Sequence, residues 1–380
     1  MSQATFRQAA ILVASVLLVS VPSLQAADAK APAVGRWDIT LGEGPTPCWL
    51  EVKPRDGGFA GRFLMVAGSV FDLKQLKVEG DKIEFDAGGG NVFTGTVRGD
   101  AIEGTFGKNA RKWTARRFVP KVNVLGRWVF EGDASTDLIL RERNGNIRGR
   151  LMEGGTPQRV RDVKLEGYRL ELVAGERPLT AAVKGDVLEG TVGDKKFKAV
   201  RQREWGEPIE LFNGKDLEGW KPLGDPNNFK WKVVDGILHC EGQSANIVSE
   251  RKFDDFKLHV EFRTGPHSNS GVYLRGRYEI QVATTDDGKP SSGSCGALYS
   301  RAVPSRNAGK PPGEWQTFDI TLIDHYVTVV WNGQTVHDNI EIEGITGGAI
   351  DSHENEPGPI YLQGDHSAID YRKITLTPAR

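Results

Sequence analysis

The sequence predicts an all-β protein, in which a duplicated antiparallel sheet or barrel region precedes a two-sheet sandwich of the jelly-roll type. Two observations support this fold class. The 380 residues include 46 glycines, and the apolar residues fall in short runs between turns, rarely at the 3.6-residue spacing of a helix. Within the runs, polar and apolar residues alternate, which is the period of a strand with one buried face. A chain of this length is expected to form two or three domains.

The charge balance limits the classes of partner. Lysine and arginine number 49 and aspartate and glutamate 50, for a net charge of -1, so we expect no nucleic-acid partner for the chain as a whole. The charges are unevenly divided, with 30 basic and 24 acidic residues over 34–206 but 17 and 25 over 207–380. The basic half either binds an acidic polymer or docks on the acidic half, and docking is the simpler interpretation.

The first 29 residues have the order of a secretory signal peptide. Arg7 precedes an apolar run over 9–21, and small residues follow to position 29. The run is shorter than the roughly 20 residues that span a bilayer, although a permanent anchor is the alternative. No later segment is apolar enough to span a membrane. We therefore predict export to the periplasm or the cell exterior, with no membrane span after removal of the signal.

Three cysteines, Cys48, Cys240 and Cys295, allow one disulfide at most. A Cys240–Cys295 bridge and separate buried thiols are both open. No C-x-x-C pair or histidine spacing accompanies them, so they do not indicate a metal site.

Residues 34–203 contain the same pattern twice, which predicts tandem copies over 34–120 and 121–203. GRW at 35–37 returns at 126–128, GRFLM at 61–65 returns as GRLM at 149–152, and GDAIEGT at 99–105 returns as GDVLEGT at 185–191. Asp56-Gly57 and Asn144-Gly145 are placed for hairpin turns. The copies form either two separate barrels or one larger closed one. This half contains no histidine, and we predict that it is non-catalytic.

Longer strands begin in the C-terminal region, 207–380. FKLHVEFR at 256–263 alternates strictly, 270–283 contains two runs, 319–336 contains a hairpin turning at Asn332-Gly333, and 360–377 supplies a closing pair. Long antiparallel strands without helices favour the two-sheet sandwich.

Seven motifs give this region a family resemblance over about 209–378. They are LFNGKDLEGW at 211–220, NSGVYLRG at 269–276, YEIQV at 278–282, CGALY at 295–299, KPPGEW at 310–315, GPIYLQ at 358–363 and DYRKI at 370–374. The region resembles the 3-keto-disaccharide hydrolase domain family, formerly a domain of unknown function. The resemblance implies a concanavalin-like sandwich related to lectins and glucanases, and hydrolysis of 3-keto-glycosides. Gly364-Asp365-His366 departs from the Asp-His-Gly order that is more frequent in the family.

Alternation along the C-terminal strands separates a core face from a polar face. The residues predicted to face the core are Val260, Phe262, Val272, Leu274, Ile280, Val282, Ile360 and Leu362. The residues predicted to face the other side are Glu261, Arg263, Tyr273, Arg275, Glu279, Gln281, Tyr361, Gln363 and Asp365. This set can stack on sugar rings and bind hydroxyls, so we predict a concave carbohydrate groove. The alternative is an ordinary solvated sheet face.

Two routes of glycoside cleavage fit these residues. A conventional glycosidase needs two carboxylates about 5–9.5 Å apart, and Glu261 with Glu279 is the candidate pair. An oxidised sugar permits elimination, because a ketone at C3 acidifies the hydrogen on C2. Glu279 or His366 is then the candidate base, and Arg263 or Arg275 would stabilise the enolate.

The remaining predictions concern binding. Gln281, Gln363, Asn269 and Asp365 are expected to hold sugar hydroxyls. Tyr273, Tyr299 and Trp315 are candidate stacking rings, although such rings are equally often core residues. A divalent cation would also polarise the ketone, and Asp254-Asp255 or Asp286-Asp287 could hold calcium, but no ligand spacing indicates a cofactor. A non-catalytic lectin and a cell-envelope interaction protein are the competing functions. The residues do not indicate an oligomeric state.

Overall fold

A computed structural model describes residues 31–42, 46–284 and 288–380. The predicted signal peptide and Asp286-Asp287 lie outside these ranges. Within them the chain is all-β, with 30 strands and one short 3-10 helix, Pro226–Asn228. No helix in the described ranges is long and apolar enough to cross a membrane.

The first copy of the duplicated pattern forms a nine-stranded antiparallel sheet, in the order β4-β3-β2-β1-β9-β8-β7-β6-β5. Its strands are β1 (Gly35–Leu41), β2 (Pro47–Arg55), β3 (Gly58–Leu64), β4 (Phe71–Asp72), β5 (Leu76–Glu79), β6 (Lys82–Asp86), β7 (Val92–Arg98), β8 (Ala101–Phe106) and β9 (Arg111–Arg117). The core of this sheet is rich in aromatic residues, including Trp37, Phe63, Phe93 and Trp113.

The second copy closes into an eight-stranded up-and-down barrel. Its strands are β10 (Gly126–Phe130), β11 (Asp133–Arg143), β12 (Asn146–Glu153), β13 (Thr156–Glu166), β14 (Arg169–Ala174), β15 (Arg177–Lys184), β16 (Val187–Val192) and β17 (Lys195–Arg201). Inward-facing leucines, valines and alanines fill it, together with Trp128. The two copies therefore form separate sheets with separate cores, and not one larger closed barrel.

The repeated motifs hold the same position in both copies. Trp37 Nε1 donates to the carbonyl of Ala33 at 2.8 Å, as Trp128 Nε1 does to the carbonyl of Val124 at 2.9 Å. A guanidinium covers each indole, that of Arg117 at 4.2 Å and that of Arg201 at 4.3 Å.

The glycine of each E-G-T motif sits in a strand where a neighbouring backbone passes too closely for any side chain. A Cβ at Gly104 would overlap the carbonyl oxygen of Thr94, and one at Gly190 would overlap that of Thr180. These shared constraints explain why the copies keep these residues.

The C-terminal region is a two-layer sandwich. The large sheet has the order β20-β21-β30-β23-β26-β27-β28, with β18 on β30, and the small sheet has the order β19-β22-β29-β24-β25. The large-sheet strands are β18 (Ile209–Glu210), β20 (Trp231–Val234), β21 (Ile237–Cys240), β23 (Phe256–Thr264), β26 (Gln316–Ile323), β27 (Tyr326–Trp331), β28 (Gln334–Glu341) and β30 (Ile369–Pro378). The small-sheet strands are β19 (Trp220–Leu223), β22 (Asn246–Ser249), β24 (Asn269–Leu274), β25 (Tyr278–Ala283) and β29 (Tyr361–Leu362).

The core between the sheets agrees with the alternation of the sequence. All eight residues predicted to face the core are buried, at 0% exposure. Cys48, Cys240 and Cys295 are buried free thiols, so no disulfide joins them. The predicted closing pair over 360–377 is wrong as a pair, because β29 belongs to the small sheet and β30 to the large one.

The basic N-terminal half meets the acidic sandwich through a few paired arginines. Arg36 lies 3.4 Å from Glu354, and Arg62 lies 2.5 Å from Glu343. From the barrel side, Arg203 lies 3.1 Å from Asp255. These pairs account for some of the excess basic charge, and leave the rest on the surface.

Candidate active site

The candidate site lies on the outer face of the small sheet, where β25, β24 and β29 are adjacent. In the antiparallel register Tyr273 stands opposite both Glu279 and Tyr361. Two residues back along β24, Gly271 stands opposite Gln281, and its carbonyl accepts a hydrogen bond from Gln363 N at 3.0 Å. Because alternate residues share a face, these side chains form two parallel rows. The first row is Glu279, Tyr273 and Tyr361; the second row is Gln281, Gly271 and Gln363.

Gly271 leaves the centre of the second row without a side chain. A Cβ at this position would lie 2.8 Å from Cγ and 2.9 Å from Cδ of Glu279, and would also meet its Oε1. The Glu279 carboxyl therefore leans over Gly271, into the gap between Gln281 and Gln363. Glycine in the middle of this strand is what allows the close approach.

Burial controls the protonation of Glu279. The residue is 3% exposed, and burial raises the pKa of its carboxyl to about 8; the Tyr273 hydrogen bond lowers this pKa and the Asp365 carboxylate raises it. Glu279 therefore holds its proton at neutral pH, as expected for a carboxyl without a nearby cation.

The hydrogen bonds of Tyr273 agree with a protonated Glu279. Tyr273 Oη lies 2.9 Å from Glu279 Oε2 and 2.8 Å from the carbonyl oxygen of Gly347. A carbonyl only accepts, and a tyrosine has one proton to donate. When Tyr273 donates to Gly347, its contact with Glu279 is a hydrogen bond only if the carboxyl donates.

Asp365 and His366 form a second titratable pair beside the first. His366 Nδ1 lies 2.6 Å from Asp365 Oδ1, and each side chain is 49% exposed. A carboxylate on Nδ1 orients the imidazole and leaves Nε2 to accept a proton. The Asp365 carboxylate also raises the pKa values of Glu279 and Tyr361, so the pair lies within electrostatic range of the first row.

Three amides complete the candidate site. Gln281 Nε2 donates to Asn269 Oδ1 at 2.9 Å, which fixes both side chains. Gln363 is 8% exposed, and its Oε1 is buried with no hydrogen-bond partner among the described residues. A buried acceptor without a partner costs about 1–3 kcal/mol.

The aromatic residues of the first row are covered. Tyr273 and Tyr361 stack with ring centroids 4.1 Å apart and an interplanar angle of 12°, and they form a small core with Val248, against which Leu223 and Ile350 pack. Tyr273 is 1% exposed. The prediction that Tyr273 offers a stacking surface to sugar is therefore wrong, because its ring faces are already packed.

The structure separates Glu261, Arg263 and Trp315 from the site. They lie on the outer face of the large sheet, where Arg372 donates to Glu261 and Arg263 lies 2.6 Å from Asp370. The two guanidinium groups cover the Trp315 ring at 4.8 and 4.4 Å. These groups are partners of one another, which leaves neither Arg263 for the enolate nor Trp315 for the Glu279 site.

Glu261 and Glu279 cannot be a glycosidase pair. Their neighbours Val260 and Ile280 meet in the same core between the sheets, so the two carboxyls point away from each other on opposite sides of the sandwich. Packed sheets are about 10 Å apart, and the outward side chains add to this separation. The distance exceeds the range of roughly 5–9.5 Å that such a pair requires.

Arg275 is likewise placed elsewhere. It follows β24 in a turn with a φ of 51°, and its guanidinium lies 3.0 Å from Asp254 and 2.9 Å from Asp255. It is 1% exposed, in an ion cluster at the contact with the barrel. Neither predicted arginine is therefore available to stabilise an enolate at this site.

No group of three or more His, Cys, Asp or Glu side chains in the described ranges is arranged to hold a metal ion. Asp254 and Asp255, the predicted calcium ligands within those ranges, are occupied by Arg275.

Tyr299 lies beside the site, next to a segment contributed by the N-terminal sheet. Tyr299 N donates to the Glu279 carbonyl at 3.0 Å, which places it against the edge of β25. Its Oη is 3.4 Å from Ser69 Oγ, and Val70 N donates to Ser300 Oγ at 2.7 Å. The loop over 65–70 between β3 and β4 therefore borders the site, which no sequence motif indicated.

The fold and the site define a β-sandwich domain with a buried carboxyl of raised pKa and polar amides on one sheet face. Residues 207–377 match the 3-keto-alpha-glucoside-1,2-lyase-like domain, and the C-terminal sandwich belongs to this family.

A curated relative, the 3-keto-disaccharide hydrolase of Bacteroides thetaiotaomicron, is 24% identical over 165 residues, which are 34% of this chain and 54% of that protein. The chain thus spans about half the length of this relative. A solved structure of a candidate glycosyl hydrolase from Parabacteroides distasonis is 30% identical, covers 44% of this chain and 82% of its own, and has a TM-score of 0.39. A second one from the same organism is 23% identical, covers 44% of this chain and 92% of its own, and has a TM-score of 0.37.

Proposed function

We propose that this protein cleaves 3-keto-glycosides by abstraction of the C2 proton and elimination of the C1 substituent. Membership of the family supports the substrate class. The observation that carries the mechanism is a buried Glu279 whose raised pKa is increased further by the Asp365 carboxylate, which also holds Nδ1 of the half-exposed His366.

The first step forms an enolate. His366 Nε2 takes the C2 proton, and the electron pair of the C–H bond forms a C2=C3 double bond as the ketone oxygen becomes negative. Amide N–H groups of Asn269 and Gln281 donate to this oxygen. This assignment replaces Arg263 and Arg275, which are paired elsewhere.

The second step breaks the glycosidic bond. The C3 carbonyl re-forms, the C1=C2 double bond is made, and the C1–O bond breaks while Glu279 gives its proton to the leaving oxygen. Water then adds, with its hydroxyl on C1. Glu279 takes the remaining proton of this water and His366 returns its proton to C2, so both side chains end as they began.

The raised pKa of Glu279 supports the role of acid over the predicted role of base. A carboxyl with a pKa of about 8 is mostly protonated at pH 7 and therefore serves as the acid. His366 is more exposed and has an oriented imidazole, and so is the better base.

The test is release of a chromophoric aglycone from a 3-keto-glucoside in D₂O, beside its unoxidised parent. We expect Glu279→Gln to lower release by about 10²–10⁴-fold while hydrogen exchange at C2 continues. His366→Asn should lose both aglycone release and hydrogen exchange at C2. Glu261→Gln, the matched control on the opposite face, should retain both.

Three results would contradict the proposal. Comparable release from the parent sugar would indicate an ordinary glycosidase. Binding of the keto sugar without exchange or release would indicate a lectin. Exchange that survives in His366→Asn would remove His366 as the base.

We also propose that residues 1–29 direct export of the protein. A separate proposal is that a divalent cation polarises the ketone. N-terminal sequencing of protein recovered from the periplasm or medium should begin between positions 27 and 30, and retention of Met1 would contradict cleavage. Turnover measured after dialysis against EDTA, with and without added Ca²⁺ or Mg²⁺, tests the cation.

A further inference from the structure

One face of the barrel carries arginines in directly opposed pairs. Arg141 stands opposite Arg148 across β11 and β12, and Arg150 stands opposite Arg159 across β12 and β13. All four are exposed. Since positions 148 and 150 are two apart on one strand, the four side chains share the outer face. We call these four residues the arginine face; strand geometry spaces them about 5 Å across the sheet and about 7 Å along it.

The arginine face has no internal counter-charge. Like charges directly opposite one another destabilise a sheet, and such pairs usually have carboxylates nearby. Among the described residues, no carboxylate oxygen lies within 4.0 Å of any of these four guanidinium groups. Several other basic side chains of the barrel are paired, as Arg169 is with Glu171 at 2.7 Å and Arg177 with Glu153 at 2.5 Å.

The first copy of the repeat provides an internal comparison. Arg62 occupies the position that Arg150 occupies in the second copy, within GRFLM and GRLM respectively. Opposite Arg62 stands Glu51, and Arg62 Nε donates to it at 2.8 Å. Opposite Arg150 stands Ile139. The second copy thus keeps the arginine and has an aliphatic residue in place of the carboxylate that would neutralise it.

Docking does not explain the arginine face. Arg62 also contacts Glu343 of the sandwich at 2.5 Å, so the first copy uses this position for the contact between the halves. All four residues of the arginine face are exposed, and the barrel meets the sandwich through others, such as Arg203. The arginine face is therefore excess positive charge that the fold of the chain leaves available.

We propose that the arginine face binds an anionic polysaccharide through its carboxylate or sulfate groups. Planar guanidinium groups form paired hydrogen bonds to such oxyanions, which an ammonium group cannot match. A two-by-two array on adjacent strands suits a polymer with repeated charges. The choice of a glycan over other polyanions rests on the proposed function, because a barrel that holds the polymer raises the concentration of sugar near the sandwich.

The test is binding of the protein without its signal peptide to polygalacturonate and to dextran sulfate, with neutral dextran as the reference, by calorimetry at low ionic strength. The two anionic probes distinguish carboxylate from sulfate. We expect the triple variant R148Q/R150Q/R159Q to bind the preferred probe at least about tenfold more weakly. Ile139→Glu, which restores the carboxylate of the first copy, should weaken binding with every arginine still present.

The matched control is Arg169→Gln, which removes one basic charge from the same barrel but from an existing ion pair, and which should bind normally. Glu279→Gln should also bind normally, so that failure of the catalytic proposal is separable from failure of this one. Equal affinity of the wild-type protein for duplex DNA or for anionic vesicles would overturn the assignment to a polysaccharide. Absence of binding to both anionic glycans, or an unchanged affinity in the triple variant, would overturn the site.

Discussion

The two outer faces of the sandwich carry the same kinds of residue and use them in opposite ways. On the large sheet, Glu261 accepts from Arg372, and Arg263 is bound to Asp370. On the small sheet, Glu279 is buried without a cation and Gln363 Oε1 has no partner among the described residues. Charged side chains that pair with one another are typical of a stable surface. Buried polar groups without a hydrogen-bond partner or a counter-ion are typical of a binding site.

The pKa values of the two glutamates express this difference. Burial alone would raise the pKa of Glu261, but its hydrogen bonds to Arg372 and His259 outweigh burial and lower it. Burial raises the pKa of Glu279 to about 8. Residue type alone does not distinguish these two carboxyls, whereas their burial and their partners do.

The largest expected effect on activity is that of Gly271→Ala. The new methyl group would meet Cγ and Cδ of Glu279 within 3 Å and force the carboxyl away from its position over residue 271. Displacement of a reacting group by about 1 Å can cost roughly 10²-fold, so we expect a loss of kcat of this order or more with the fold retained, measured by steady-state kinetics and circular dichroism.

Gly265→Ala is the matched control for that variant. A Cβ at Gly265 has Ser268 Oγ at 3.8 Å as its nearest neighbour, which is ordinary contact. Its activity should stay within about twofold of the wild type. If both alanine variants were equally active, the carboxyl position described above would not matter for catalysis.

The pH dependence of the two faces should have opposite signs. Because the folded-state pKa of Glu279 is raised from 4.5 to about 8, its contribution to stability is complete below about pH 4.5 and is lost as the pH rises through 8. The pKa of Glu261 is lowered in the folded protein. Its contribution to stability is therefore present above the ordinary glutamate pKa and is lost as the pH falls below it. Activity that needs protonated Glu279 should also decline above about pH 8.

Thermal melts of the wild type, Glu279→Gln and Glu261→Gln between pH 4 and 9 check these signs. Glu279→Gln should flatten the decrease in Tm between about pH 5 and 8, since glutamine keeps the shape without the ionisation. Glu261→Gln should leave that region unchanged. A decrease of the same slope in Glu279→Gln would show that Glu279 is ionised in the folded protein.

Local patterns in the sequence were sufficient for much of the fold. Alternation over 256–263 and within 270–283 predicted which side chains enter the core, because a strand exposes successive residues on opposite faces regardless of its neighbours. The repeated GRW and E-G-T motifs predicted two copies of one fold, because tryptophan packing and a close backbone contact constrain both. Whether each copy closes into a barrel depends on long-range strand pairing, which these motifs do not encode.

The composition of the site was only partly predictable. Alternation places Glu279, Gln281 and Gln363 on a polar face. It places Glu261 and Arg263 on the same face, because alternation says nothing about which sheet a strand joins. The ion pairs of Arg275 with Asp254 and Asp255 bring together residues that are about 20 apart in the sequence, which alternation cannot predict. Gly271 carried a signal, since glycine within a strand indicates close approach; the loop over 65–70 carried none.

A smaller effect is expected on the large-sheet face. Arg263→Gln removes an ion pair to Asp370 and a contact with the Trp315 ring, both partly exposed. Such pairs contribute about 0–1 kcal/mol, so urea denaturation should show a loss of stability in that range, with kcat and KM unchanged. A loss of activity without a loss of stability would instead bring the large sheet into the reaction.

The smallest effect is expected where the N-terminal sheet borders the site. Ser69 Oγ and Tyr299 Oη are 3.4 Å apart in an exposed position, so their hydrogen bond is long and accessible to water. A double-mutant cycle of Ser69→Ala and Tyr299→Phe should give a coupling of a few tenths of a kcal/mol in KM and none in kcat. Coupling in kcat would show that the N-terminal sheet acts on the reacting groups. It would contradict the prediction that the N-terminal half is non-catalytic.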